Sequence, residues 1–253
     1  QRQMCIRDRH YSLVFLLCLS TTHVCFAQQT DNMHIIIDGR QPLKSEDQST
    51  WLTHPAILQA ANLARSYWLK QNTVYQEDFR IMASSQGNFT RSESRQSAVL
   101  YLLSRWPRCC SNMGLAIIED NQLVRNIVFA GGTHHLFSVA DINHDQLDEL
   151  ALVSSFGMGG SNETTLRIIS LPARETVLLG TMPLAYDNCA TLREDSLLST
   201  FRISINNDAV DKIELEEFQA DCEHPEDVMV TSVKSIMIET KQLNDEYIDL
   251  PIN

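Results

Sequence analysis

From Gly114 to Ile238 the chain is a succession of short apolar runs cut by turn-forming residues, and this rhythm limits the folds open to it. The runs are Gly114–Glu119, Val124–Ala130, Leu136–Ala140, Leu150–Ser154, Leu166–Leu171, Val177–Met182, Thr200–Ile205, Ile213–Phe218 and Val228–Ile238. Each is too short for a stable helix and has a strand's length, and little helical periodicity lies between them. Asp120-Asn121-Gln122 separates the first two and suits a hairpin. Gly157-Met158-Gly159-Gly160-Ser161-Asn162 suits another, because a phosphate-binding loop would lead into a helix whereas Leu166–Leu171 reads as a strand. Many short strands in series predict antiparallel pairing, as a sandwich or a propeller-like blade region.

Two helices are expected ahead of the strands. Pro55 suits a first turn, capped by Thr53 or His54, and Ile57, Ala60, Ala61, Ala64, Tyr67 and Trp68 recur at helical spacing. Thr90 and Glu93 have capping-box spacing, with Val99, Leu100, Leu103 and Trp106 as an apolar face and Pro107 as a stop. The fold class is therefore α+β, mainly β.

The N-terminus has the order of an export signal. Arg2, Arg7 and Arg9 precede the apolar run Tyr11–Leu19, and Cys25-Phe26-Ala27 offers a cleavage site. The run falls short of the roughly 20 residues needed to span a bilayer. Residues 1–27 are read as a signal peptide, 28–50 as a polar leader or linker, and 51–253 as a single β-rich domain with no stable membrane insertion. The net charge is −12, and loss of Arg2, Arg7, Arg9 and Asp8 with the signal makes it −14. Such a charge disfavours nucleic acid and anionic lipid, and favours cations and basic partners.

Of seven cysteines, Cys109, Cys110, Cys189 and Cys222 lie beyond the signal. An even number in an exported chain predicts disulfides. Three pairings are open; Cys189–Cys222 is slightly preferred, because both flank the C-terminal strand group. Zinc binding through these cysteines and His224 lacks a C-x-x-C spacing to support it.

The most specific string is Asp141-Ile142-Asn143-His144-Asp145-Gln146-Leu147-Asp148-Glu149-Leu150. In a tight loop the side chains of Asp141, Asn143 and Asp145 converge, and the Leu147 carbonyl and Glu149 carboxylate can close an oxygen shell. Hard, anionic oxygen donors suit calcium better than zinc, and magnesium would demand tighter octahedral geometry. The string resembles the calcium loop of FG-GAP/VCBS repeats of integrin-like β-propellers, D-x-N-x-D-G-x-x-D/E-L between two strands. The resemblance is confined to Ala130–Ser170. It implies that Asp141, Asn143, Asp145 and Glu149 are metal ligands and that the surrounding unit is blade-like. Gln146 stands where that pattern has glycine, so a left-handed backbone there costs roughly 1 kcal/mol. Ile205-Asn206-Asn207-Asp208-Ala209-Val210-Asp211 echoes the loop, but Ser204 replaces its first aspartate. His134 and His135 precede the loop, and neighbours on a strand point to opposite faces.

No nucleophile elbow, H-E-x-x-H motif or other catalytic set is present. The expected function is an exported calcium-binding module with a structural or binding role toward a protein or carbohydrate. The alternatives are a secreted hydrolase with a structural calcium site and a surface adhesion component.

Overall fold

The structure is a computed structural model and describes residues 33–43, 48–71, 76–106, 111–191, 196–206, 212–243 and 245–252. Asn32–Asn253 form one compact unit. The expected signal peptide, Cys109, Cys110, Pro107 and the 207–211 part of the loop echo lie outside the described residues.

The elements run β1 (Met33–Asp38), α1 (Pro55–Lys70), β2 (Gln76–Gly87), β3 (Gln96–Arg105), β4 (Ser111–Glu119) and β5 (Gln122–Gly131). There follow β6 (Thr133–Val139), β7 (Glu149–Met158), β8 (Ser161–Ser170), β9 (Val177–Asp187), β10 (Leu197–Asn206), β11 (Lys212–Asp221) and β12 (Met229–Met237). Two short strands, β13 (Lys241–Gln242) and β14 (Ile248–Asp249), close the chain. All pairings are antiparallel. One sheet has the order β14-β5-β4-β3-β2; the other runs β12-β11-β10-β9-β8-β7-β6, with β1 on β10 and β13 on β9, and neither closes into a barrel.

Alternation along the strands explains the layers. In β3, Ala98, Leu100 and Leu102 pack with Leu136, Leu150, Leu152 and Ile169 of the other sheet. Val99, Tyr101 and Leu103 turn the other way and meet Ala56, Ile57, Ala60 and Ala64 of α1. A third cluster joins Ala151, Val153, Leu166 and Ile168 to Phe201, Ile203, Ile213 and Leu215, so the larger sheet curls over its own outer face. The small face of α1 also fits a tight contact: the Tyr101 hydroxyl donates to Asn126 Oδ1 at 2.7 Å, and Asn126 Nδ2 donates to the Ala60 carbonyl at 2.9 Å. A Cβ at Gly114 would lie 2.1 Å from the Tyr101 ring, so only glycine fits there.

The first expected helix is α1, with His54 as its N-cap and Pro55 in its first turn. The second does not exist: Gln96–Arg105 is strand β3, flanked by β4 and β2 in the smaller sheet. Both its faces are buried, one under α1 and one under the second sheet, so its sequence is a continuous apolar run whose period is ambiguous. Glu93, expected in a first helical turn, has φ 56°. The expected leader also contains a strand, β1, in which Ile37 is buried.

The hairpin turns fall where expected. Asp120 and Asn121 both have positive φ, as do Gly159 and Gly160 at the β7–β8 tip, matching the twist of the flanking strands. Cys189 and Cys222 form a disulfide that ties the end of β9 to the β11–β12 connection. With both sulfurs committed to each other, the zinc reading through this pair falls.

Candidate metal centre

The loop between β6 and β7 is pinned by its apolar residues and shaped by its polar ones. Ile142 and Leu147 are buried, and Ile142 joins the outer-face cluster of the larger sheet. Between these anchors the side chains accept from the loop's own backbone. Asp141 Oδ1 accepts from Asp145 N at 3.1 Å and Asp141 Oδ2 from Gln146 N at 2.8 Å. Asn143 Oδ1 accepts from Asp145 N at 2.9 Å, and Asp145 Oδ1 from Leu147 N at 2.9 Å. Short polar side chains capping backbone N–H groups two to five residues on make the turn self-supporting. His144 and Gln146 hold the left-handed backbone, at φ 61° and 70°.

This wrapping brings one carboxylate oxygen each from Asp141, Asp145 and Glu149 within 4.8 Å of one another. Asn143 lies against them, its Nδ2 donating to Asp145 Oδ2 at 3.1 Å. Leu147 supplies its N–H to Asp145, and its side chain is an anchor. Glu149, the first residue of β7, is the innermost member, with 0% of its surface exposed. Its Oε2 accepts from Ile142 N at 2.9 Å, whereas its buried Oε1 has no hydrogen-bond partner among the described residues. Burial pushes its pKa up to about 8; the Ile142 N–H opposes the rise, and the charges of Asp145, Asp141 and Asp148 add to it.

An unpartnered carboxylate oxygen in the interior is costly. Here it belongs to a group of three carboxylates, so a cation among them would satisfy the orphan oxygen and cancel the repulsion together. The donor set is all oxygen, which fits a hard cation and not a soft one.

Three residues outside the expected ligand set hold the loop in place. Ser170 Oγ, at the end of β8, donates to Asp145 Oδ2 at 3.1 Å. Asp148 turns away from the cluster: its Oδ2 accepts from Asn88 N at 2.8 Å, and its own N–H donates to Asn88 O at 3.0 Å. Gly87 leaves room for this, since a Cβ there would lie 2.8 Å from Asp148 Oδ2 and from the Phe89 ring. The loop thereby touches the β2–β3 connection of the smaller sheet as well as β8 of the larger. Asp148 was visible in the sequence string; its direction was not, and nothing pointed to Asn88 or Ser170 as partners of the loop.

His134 and His135 stand on β6 and do not belong to the converging group. A second group, His224, Glu226 and Asp227, lies in the β11–β12 connection; all three are exposed and none brings a buried orphan atom. Gly157–Asn162 leads into β8 and not into a helix. Comparison with known protein families, curated proteins and solved structures yields no match to this chain.

Proposed function

We propose that this chain is an exported FG-GAP/VCBS-like module that binds calcium in the Asp141–Glu149 loop and serves a structural or binding role without catalysis. The observation that carries the reading is the buried, unpartnered Oε1 of Glu149 beside Asp141 and Asp145. Asp141, Asn143, Asp145, the Leu147 carbonyl and Glu149 are the ligands in this reading. Calcium is favoured over magnesium because a loop built from backbone-capped carboxylates tolerates the larger ion's irregular shell. The contacts of the loop with Asn88 and Ser170 support a role in holding the two sheets in register. Export is supported by the Cys189–Cys222 disulfide, which belongs to oxidising compartments. No helix among the described residues is long and apolar enough to cross a membrane.

The test is thermal melting in excess calcium and in excess chelator. A site of extracellular type, with a Kd on the order of 10⁻⁴ to 10⁻³ M, still stabilises the fold by about 2.7 kcal/mol at 100-fold excess over Kd. Calcium should raise the Tm, magnesium should raise it less, and Asp145→Ala should abolish the rise. Equal melting of the wild type in calcium and in chelator defeats the reading.

A further inference from the structure

β12 is the last strand of the larger sheet, and among the described residues nothing pairs with its outer edge. Natural sheets blunt such edges with charge. β12 and the residue just before it instead expose Val228, Met229, Val230, Val233 and Met237 within ten consecutive positions, Met229 and Val233 being 68% and 62% accessible. Its one charge is Lys234.

The strand behind it is acidic. The hairpin from Lys212 to Met237 has seven carboxylates and two lysines. On β11, Glu216 pairs with Arg202, but Glu214 and Glu217 have no ion-pair partner among the described residues. Glu217 pairs in register with Ser232 and Glu214 with Ser235. Glu217 is met only by neutral donors, Ser232 Oγ at 2.9 Å and Gln219 Nε2 at 2.8 Å. A serine is thus all that stands between each unpaired carboxylate and the open edge. The ladder is regular from Ser232 to Met237; the bulge lies outside that stretch, at Glu217/Phe218.

We propose that the outer edge of β12 adds an extended segment of a basic partner protein as a further strand. The sheet dictates its pattern. An added strand lies about 4.8 Å from β12, so a residue opposite Ser232 is about 9.6 Å from Glu217 across the serine, within reach of a lysine or arginine. The same holds opposite Ser235 for Glu214. Ser232 and Ser235 lie on opposite faces, so the partner carries basic residues three positions apart. Between them an apolar residue covers Val233, and a neutral one faces Lys234. Backbone hydrogen bonds along the edge supply affinity, and these side chains supply choice of partner. A second copy of this chain fits less well. A two-fold axis at Val233 sets Lys234 opposite Ser232, but places Thr231, not a base, opposite Ser235 and brings two acidic hairpins together. The net charge of −12 steers basic segments and repels a second copy.

The probe is a fluorescein-labelled peptide VTKTVKTV titrated with the full chain, with VTETVETV as control. The lysine peptide should bind saturably, more weakly as salt rises, and should slow hydrogen exchange of the β12 amides. The glutamate peptide should not bind. E214Q/E217Q should weaken binding about tenfold, and V233K should weaken it further; Val233 is exposed and the two glutamates are half-buried, and circular dichroism checks that the fold is kept. No binding at millimolar protein, equal binding of both peptides, or unchanged affinity of E214Q/E217Q overturns the proposal. So does concentration-dependent dimerisation in sedimentation that V233K abolishes, since the edge then belongs to a second copy. Chelator leaves the peptide titration unchanged, which separates this outcome from that of the calcium site.

Discussion

Among the described residues two side chains of ionisable type, Arg125 and Glu149, are buried, and they are treated in opposite ways. Arg125 on β5 has a side chain 4% exposed, and its donors are spent inside the protein. Nε meets Asp249 Oδ2 at 2.9 Å, one terminal nitrogen reaches the Leu171 carbonyl at 3.1 Å, and the other lies 3.4 Å from Thr176 Oγ1. Burial lowers its pKa, while the Asp249 charge holds the guanidinium in its charged form. Glu149 on β7 is as deeply buried and has one N–H for two oxygens, in the company of further negative charge. A buried charge that serves the fold is paired within the fold. One left half-paired, among charges of its own sign, is open to a ligand from outside. Arg125 therefore belongs to the architecture, fastening β14 and the β8–β9 connection to β5, and Glu149 to the candidate site.

The sharpest way to break this contrast is pH. The carboxyl of Glu149 has the ordinary glutamate pKa of about 4.5 in the unfolded chain, and burial pushes it up to about 8 in the fold. Between those values the folded protein holds a proton that the unfolded chain has released. In chelator, its contribution to stability is therefore fully present below about pH 4.5 and is lost as pH rises through 8. A difference of that size corresponds to a loss on the order of 4–5 kcal/mol. Asp38, whose pKa the hydrogen-bonded Arg40 lowers, acts with the opposite sign and below this window. Urea unfolding from pH 5 to 8 should show the decline in wild type and a flat profile in Glu149→Gln. Saturating calcium should flatten the wild type too, because a bound cation keeps the carboxylate ionised. A wild type as flat as the variant in chelator places Glu149 with Arg125, as a group the fold already satisfies.

The other side of the comparison is tested at Arg125. Arg125→Met removes a buried partner and strands Asp249 and the Leu171 carbonyl, at a cost of about 3 kcal/mol. The loss should be the same in calcium and in chelator. A loss that calcium restores would tie Arg125 to the ion site and dissolve the distinction between the two regions.

How far the sequence carried this reading varies with the range of the interactions. The acidic loop was legible because its side chains sit within nine consecutive residues and its geometry comes from local capping. Hairpin turns and exposed-face strands were legible for the same reason: their alternation and turn chemistry are local. β3 was misread because burial on both faces erases alternation, β1 was missed because Ile35-Ile36-Ile37 is an unbroken run without alternation in a polar stretch, and β2 because its apolar residues are too few to set a period. Partners far apart in sequence left no mark. Arg125 and Asp249 are 124 residues apart, and Asn88 meets Asp148 across 60. Cysteine parity predicted oxidation, and the position of Cys189 and Cys222 around the last strands favoured the bond that the fold makes.

The smallest expected effect sharpens the comparison most, because it separates a preformed site from one that the ion creates. Gln146 sits at φ 70°, where a side chain costs roughly 1 kcal/mol relative to glycine. Glycine there also loosens the unfolded chain, which returns about half of that gain. The loop already holds this conformation through Asp141, whose carboxylate accepts the Gln146 N–H at 2.8 Å with no ion needed for the contact. The strain is then equal in the ion-free and ion-bound folds and cancels from the binding equilibrium. Gln146→Gly should therefore stabilise the protein by about 0.5 kcal/mol in chelator and in calcium alike, leaving the calcium Kd within about twofold of wild type. Calorimetric titration beside paired melting curves measures both quantities. A Kd about five- to tenfold tighter, with no gain in chelator, means that the free loop escapes the left-handed turn and that calcium must rebuild it. The Glu149 carboxylate would then be solvated between binding events, and the contrast with Arg125 would hold only while the ion is bound.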